Sequence, residues 1–375
     1  MTENNKLIHD MANKPIKQPF RILSLDGGGI CGAFVAGFLA GVEERTGMRV
    51  GEYFDLISGT STGGIIAAAL AFREPASKLE SFYLEHGPKI FTRRRVRLAR
   101  LRAKVVKKCI APLVDWAFLK RVGLDSNWLL RSKYEGNTLR AALTEVFGDK
   151  VLGESPTRLV IPSINLTCGQ TKVFKTPHLP GLHIDLRFPV VDVVMATTAA
   201  PTYFPHAVVE RGSMYVDGGL WANNPTMVGI VESMAIANRC EREEDPRFDL
   251  DTTSVLSVGT GKCKKFLKPT ADGAGLAWWM AGGKLISTTM MTQSQAALFQ
   301  ASYLLQDRLC RIDFDIPDDS WNIDSVQYLE EMVHIGRKKA AETVESLRMR
   351  FLGRPAKPYV PFEQLPERGL STRES

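Results

Sequence analysis

A serine, an aspartate and a run of glycines carry the chemistry this chain can do. Ser61 lies in Gly59-Thr60-Ser61-Thr62-Gly63. The stretch follows the strand-like run Tyr53-Phe54-Asp55-Leu56-Ile57-Ser58 and leads into the helix-like run Gly64-Ile65-Ile66-Ala67-Ala68-Ala69-Leu70. A G-x-S-x-G on a strand-to-helix turn holds a hydroxyl out on a tight bend, beside a helix N-terminus that favours negative charge. That arrangement suits covalent acyl transfer, although the five residues alone match many buried turns by chance.

Three further blocks bear on that chemistry. Asp26-Gly27-Gly28-Gly29-Ile30-Cys31-Gly32 puts three glycines after a strand. Backbone N–H groups on such a bend can bind a developing oxyanion, a task worth about 3 kcal/mol per donor. The alternative, a nucleotide phosphate loop, lacks its Gly-Lys-Ser/Thr. Asp217-Gly218-Gly219, followed by Asn223-Asn224-Pro225, is either a projecting acid at a strand end or a plain β-turn. Ala199-Ala200-Pro201-Thr202-Tyr203-Phe204-Pro205 is either an acyl-chain wall or a core loop.

These residues need a scaffold. Residues 20–25 read as a short strand before the glycine loop, and residues 31–46 as a helix of small and apolar residues. Ser61 sits on a second strand-turn-helix unit. Two successive units of this kind favour a parallel, helix-covered sheet. Residues 158–164, 214–216 and 253–258 read as strands, and residues 190–198 and 226–240 as helices. Residues 275–305 and 323–351 read as mainly helical, with a strand-like run at 309–314. The expected fold class is α/β: a mainly parallel sheet sandwiched between helices, with a helical C-terminal part. The expected organisation is a leader over 1–18, an α/β core over 19–265, the helical part over 266–353 and a tail over 354–375. Trp278-Trp279-Met280 reads as core, with an oligomer contact or a membrane anchor as alternatives.

With 375 residues, 44% hydrophobic and 24% charged, the composition is that of an ordinary globular protein. No run of 18 apolar residues suggests a membrane-spanning helix, and residues 1–18 lack the apolar stretch of a secretory signal. The six cysteines are scattered, with no C-x-x-C pair, which fits reduced thiols better than disulfides or zinc. A cytoplasmic protein without metal or cofactor is expected. The net charge of +7 is local: ten Lys and Arg with no acid lie between Glu85 and Asp115, and without them the balance is −3. Residues 93–110 show helical periodicity, with Arg94, Arg97, Arg100, Lys104, Lys107 and Lys108 on one half of the wheel. Such a face is solvated, docks on anionic phospholipid, captures an anionic activator, or binds nucleic acid. The last leaves the Ser61 blocks unexplained, so no nucleic acid polymer is expected.

Taken together, the four blocks resemble the patatin-like phospholipases, or lipid acyl hydrolases, over about residues 20–261. The resemblance implies that Ser61 is the nucleophile and Asp217 its only side-chain partner. It implies an oxyanion hole from Gly27, Gly28 and Gly29, with Asp26, Gly32, Gly59, Gly63, Gly218 and Gly219 as supporting motif residues. Membrane glycerophospholipid is the implied substrate, hydrolysed at the inner face of the membrane. The family usually carries Arg or Lys where this chain has Cys31. That leaves the headgroup contact open, with Arg93, Arg94, Arg95 and Arg97 as candidate anion-binding residues. The family also includes bacterial anti-phage effectors switched on by cyclic oligonucleotides, to which this chain is similar; the implied partners are then a cyclic oligonucleotide and, in a homo-oligomer, further copies of the chain. A lipid- or nucleotide-binding protein on the same scaffold without turnover is the rival reading.

A Ser-His-Asp hydrolase of α/β-hydrolase order needs a histidine after the acid. Only His334 follows Asp217, and it lies in a helical run, Tyr328-Leu329-Glu330-Glu331-Met332-Val333-His334-Ile335. A dyad is therefore the expectation.

Overall fold

The computed structural model describes residues 18–92, 132–209, 212–239, 248–262, 275, 278–279, 284–317 and 321–364. The expected leader and the basic run with Arg93, Arg94, Arg95 and Arg97 lie outside the described residues.

In chain order the main elements are β1 (Phe20–Leu25), α1 (Gly32–Thr46), β2 (Leu56–Gly59), α2 (Thr62–Ala71), α3 (Ala76–Ile90), α4 (Gly136–Phe147), β3 (Arg158–Asn165) and β4 (Gln170–Lys175). There follow α5 (Val190–Thr198), β5 (Ala207–Val209), β6 (Ser213–Asp217), α6 (Thr226–Arg239), β7 (Thr253–Val258), α7 (Lys284–Leu305), β8 (Leu309–Ile312) and α8 (Leu329–Arg350). The sheet runs β5-β6-β3-β2-β1-β7-β8, with β4 also paired to β3. Strands β3, β2, β1, β7 and β8 are parallel; β4, β6 and β5 join antiparallel. The fold is thus a mainly parallel sheet between helices. The strand at 309–312 is part of that sheet, so the C-terminal part contributes to it as well as packing on it.

Strand alternation divides the core. Phe20, Ile22, Leu56, Val160 and Val255 face one side, where Ile230 and Ile236 of α6 and Ala301 and Leu305 of α7 cover them. Leu23, Leu25, Ile57, Leu159, Ile161 and Leu256 face the other, with the helices of the larger core. There α1 and α8 approach closely because each offers glycine. A Cβ on Gly336 would lie 2.3 Å from Phe34 O, and one on Gly37 would lie 2.6 Å from Val333 O.

Two expectations change. The segment after Gly353 is docked at least to residue 364: Ala356 N–H donates to Glu52 O at 2.8 Å, Phe362 N–H to Pro177 O at 2.8 Å, and Tyr359 is buried. Trp278 and Trp279 are only half-buried and meet edge to face at 5.1 Å, with Lys284 Nζ 5.1 Å above the Trp278 ring. They are a surface pair rather than core.

Candidate active site

The turn from β2 into α2 bends sharply at Ser61, whose φ of 54° and ψ of −123° lie where side chains are strained. The surroundings hold it there. Ser61 N–H donates to Thr197 Oγ1 at 3.0 Å, and Thr197 Oγ1 donates in turn to Pro162 O at 2.6 Å. Ser61 O accepts from Gly64 N at 2.8 Å and starts the helix. The motif glycines supply room: a Cβ on Gly59 would meet Gly63 O at 2.2 Å, and one on Gly63 would meet Leu25 O at 2.2 Å. Gly32 has the same role against Thr62 Oγ1 and Tyr83 Oη.

Sheet topology brings Asp217 to this turn. Strand β2 pairs with β3 at 158–160, and β6 pairs with β3 further along, at 163–165, running the opposite way. The C-terminal ends of β2 and β6 therefore point at each other along β3. Asp217 Oδ1 accepts Gly219 N–H at 2.7 Å, while Oδ2 is buried with no full hydrogen bond. Burial pushes the Asp217 carboxyl up to about 7; the nearby Ser61 hydroxyl and the Gly219 N–H only partly offset this. A carboxylate near neutrality beside a hydroxyl is poised to exchange a proton with it. Gly218 packs on Pro162 O, where a Cβ would lie at 2.3 Å.

The glycine loop sits beside both groups, and its hydrogen bonds differ from the expectation. Gly27 N–H donates to Asn223 O at 2.9 Å, and Gly27 O accepts from Thr260 Oγ1 at 2.7 Å and Asn223 Nδ2 at 3.3 Å. Its N–H is committed, which counts against Gly27 as one of the expected oxyanion donors. Among the described residues the N–H groups of Gly28 and Gly29 donate to no protein acceptor. Gly29 adopts φ +57° against Ile323 O, which would lie 2.2 Å from a Cβ. Asp26 is bound to Arg311 of β8 at 2.7 Å, with Asp313 on the same guanidinium. Burial raises its carboxyl to about 6 despite the arginine. Asp26 thus ties the loop to the sheet. Cys31 is buried, its thiol pushed up to about 12 by burial, so it brings no charge to the site.

Ser61, Asp217, Gly29 and Thr62 open into one pocket. Its walls are mainly aliphatic and aromatic, and Ala200, Tyr203 and Phe204 from the segment 199–205 form one side. Met290 of α7 and Ile323 close another. Among the described residues no histidine lines it. His334 is exposed on α8, His206 is exposed, and buried His178 is engaged with Glu232 at 2.9 Å. Sequence reasoning missed Thr197, Thr260, Arg311 and Met290, which carry no motif; Asn223 had one signal, its Asn-Asn-Pro position behind the D-G-G turn.

The family model for patatin-like phospholipase matches residues 23–230, which spans both motif residues. The chain belongs to the patatin-like phospholipase family. This patatin-like chain is 32% identical over 357 residues to a cGAMP-activated phospholipase of Vibrio cholerae, covering 88% of this chain and 94% of the relative. A cGAMP-activated phospholipase of Escherichia coli is 33% identical over 291 residues, with 73% and 72% covered. Patatin-like protein 1 of Arabidopsis thaliana is 29% identical over 363 residues, with 86% and 82% covered. Family membership makes the chain a lipid acyl hydrolase. Among the described residues no helix is long and apolar enough to cross a membrane.

Proposed function

We propose that this patatin-like chain hydrolyses acyl ester bonds of membrane glycerophospholipids through a Ser61–Asp217 dyad, and that a cyclic nucleotide switches it on in anti-phage defence at the inner face of the membrane. The observation that carries the reading is Asp217: a buried carboxyl raised to about 7, next to a strained serine, in an apolar pocket with no histidine among its described lining. In the first step Ser61 Oγ attacks the acyl carbonyl and its proton passes to Asp217. The oxyanion of the tetrahedral intermediate is met by the N–H groups of Gly28 and Gly29. Collapse breaks the ester C–O bond; Asp217 returns the proton to the departing glycerol oxygen, and the acyl group stays on Ser61. Water then attacks the acyl-Ser61 carbonyl while Asp217 takes its proton. A second collapse breaks the acyl–Oγ bond, Asp217 returns the proton to Ser61 Oγ, and the fatty acid is released. The apolar walls from Ala200, Tyr203 and Phe204 suit an acyl chain. Cyclic-nucleotide activation is supported by the named activity of the Vibrio cholerae and Escherichia coli relatives.

The test is fatty-acid release from phospholipid vesicles by purified protein, with and without cGAMP, alongside fluorophosphonate labelling. Release that rises with cGAMP and disappears in Ser61→Ala and Asp217→Asn is the expected result. A folded protein that neither labels nor hydrolyses under any of these conditions leaves only the rival, a binding protein on this scaffold.

A further inference from the structure

The end of the sheet opposite Ser61 carries a second pocket. It lies at the N-terminal ends of β2 and β3, and the docked C-terminal segment 355–359 forms its far wall. Three cations line it: Arg73, Arg158 and Lys357. Two carboxylates, Glu52 and Asp55, face them, between walls that include Pro156, Pro355 and Pro358.

Arg73 is the informative residue. It follows α2, the helix that Ser61 starts. Arg73 N–H donates to Leu70 O at 3.0 Å and Glu74 N–H to Ala69 O at 2.9 Å, the paired bonds of a helix stop whose left-handed residue is usually glycine. Here that residue is Arg73, with φ 61°. Arg73 thus holds a backbone conformation that disfavours a side chain, and its side chain lines this pocket. Arg158 is buried, with its guanidinium 5.1 Å over the Tyr359 ring and Nη1 donating to Asp55 O at 3.4 Å. Asp55 Oδ2 accepts from Arg21 N at 2.8 Å and forms an ion pair with Arg21 Nε at 3.8 Å, while Oδ1 takes no bond from Arg21. Burial raises this carboxyl as well.

The lining thus combines point charges for phosphates with carboxylate acceptors for N–H donors between flat apolar walls. We infer that this pocket binds a cyclic dinucleotide, with Arg73, Arg158 and Lys357 on its phosphodiesters and Glu52 and Asp55 on a base edge. The inference rests on the nucleotide-activation part of the function proposed above, and it gives that activation a route. Ser61 stands between two short rigid elements. The strand before it begins next to Asp55, and the helix after it ends next to Arg73. At about 3.3 Å per strand residue, Asp55 and Ser61 are about 20 Å apart. A ligand bridging Asp55 and Arg73 bears on both elements that set the strained serine turn.

The experiment is calorimetric binding of cGAMP, cyclic di-GMP and cyclic di-AMP to the full chain, with inorganic phosphate and GMP as competitors. Arg73→Gly suits it, because glycine restores the preferred residue at the helix stop and folding is retained; Lys357→Ala removes an exposed charge. Each variant is expected to weaken nucleotide binding at least tenfold and shift the activation curve equally, with basal fluorophosphonate labelling of Ser61 unchanged. Wild-type binding that both variants preserve overturns the pocket assignment and leaves nucleotide activation standing. Competition by phosphate as effective as by GMP overturns the base contact. No binding by wild type of any of the three nucleotides overturns this inference and the activation reading together, while labelling of Ser61 in the same sample reports the hydrolase reading separately.

Discussion

Replacing Asp217 by asparagine should remove hydrolysis and, at the same time, stabilise the protein in alkaline buffer. The carboxyl is 2% exposed and its pKa rises from 3.8 to about 7, mainly through burial. Between those two values the folded state keeps a proton that the unfolded state has lost, so wild-type stability falls as pH rises. The shift of about three units corresponds to about 4 kcal/mol, of which about 3 kcal/mol accrues between pH 5 and pH 8. The amide of the variant does not titrate, and every other group titrates alike in both proteins. The difference between the two urea-unfolding free energies therefore isolates this one carboxyl. It should move in favour of Asp217→Asn by about 3 kcal/mol from pH 5 to pH 8, less whatever local water relieves. Any constant cost of the amide cancels. A difference that stays flat with pH, or that turns towards wild type in alkali, would refute a buried, near-neutral base and the dyad with it.

In the proposed dyad the same carboxyl governs rate. Wild-type kcat/KM on a soluble ester should climb as pH rises through about 7 and then level, because Asp217 takes a proton only when ionised. His334→Ala, on an exposed helix face, should keep more than about half of the hydrolysis, since no histidine is among the described residues lining the pocket; a loss of about 10²-fold or more with intact folding would bring a triad back. Ser61→Gly and Ser61→Ala should both be inactive, but the glycine variant should be more stable by about 1 kcal/mol in urea, because φ 54° strains alanine and not glycine. Gly336→Ala should cost about 1–3 kcal/mol, read as a lowered Tm, because its methyl has Phe34 O at 2.3 Å and Phe38 N at 2.7 Å to displace.

Much of the scaffold is readable along the chain. The strands at 20–25 and 253–258 and the helix at 190–198 begin and end where their apolar patterns do. Strand β4 is not legible, because Gln170-Thr171-Lys172-Val173-Phe174-Lys175 is a half-exposed strand with only two apolar residues. Strand β5 is three residues long and has no turn signal of its own. The segment after 353 reads as a tail because prolines and charges look solvated, yet Tyr359 and the backbone bonds of Ala356 and Phe362 seat it on the sheet end. Partners hundreds of residues away in sequence give a segment no local periodicity.

Ser61, Asp217 and the glycine loop stand out as candidates along the chain. Each depends on a local motif, a strand followed by a bend that only small residues allow. How they combine depends on packing between distant segments. The antiparallel run of β6 along β3 turns Asp217 towards the serine. Burial from all sides, which no local window contains, lifts its carboxyl to about 7. Asn223 O occupies the Gly27 N–H, so the proposed oxyanion role falls to Gly28 and Gly29. The far ends of β2 and α2 bring Asp55 and Arg73 to one pocket for the same reason: long-range pairing and desolvation are properties of the packed chain, and neighbouring residues do not encode them alone.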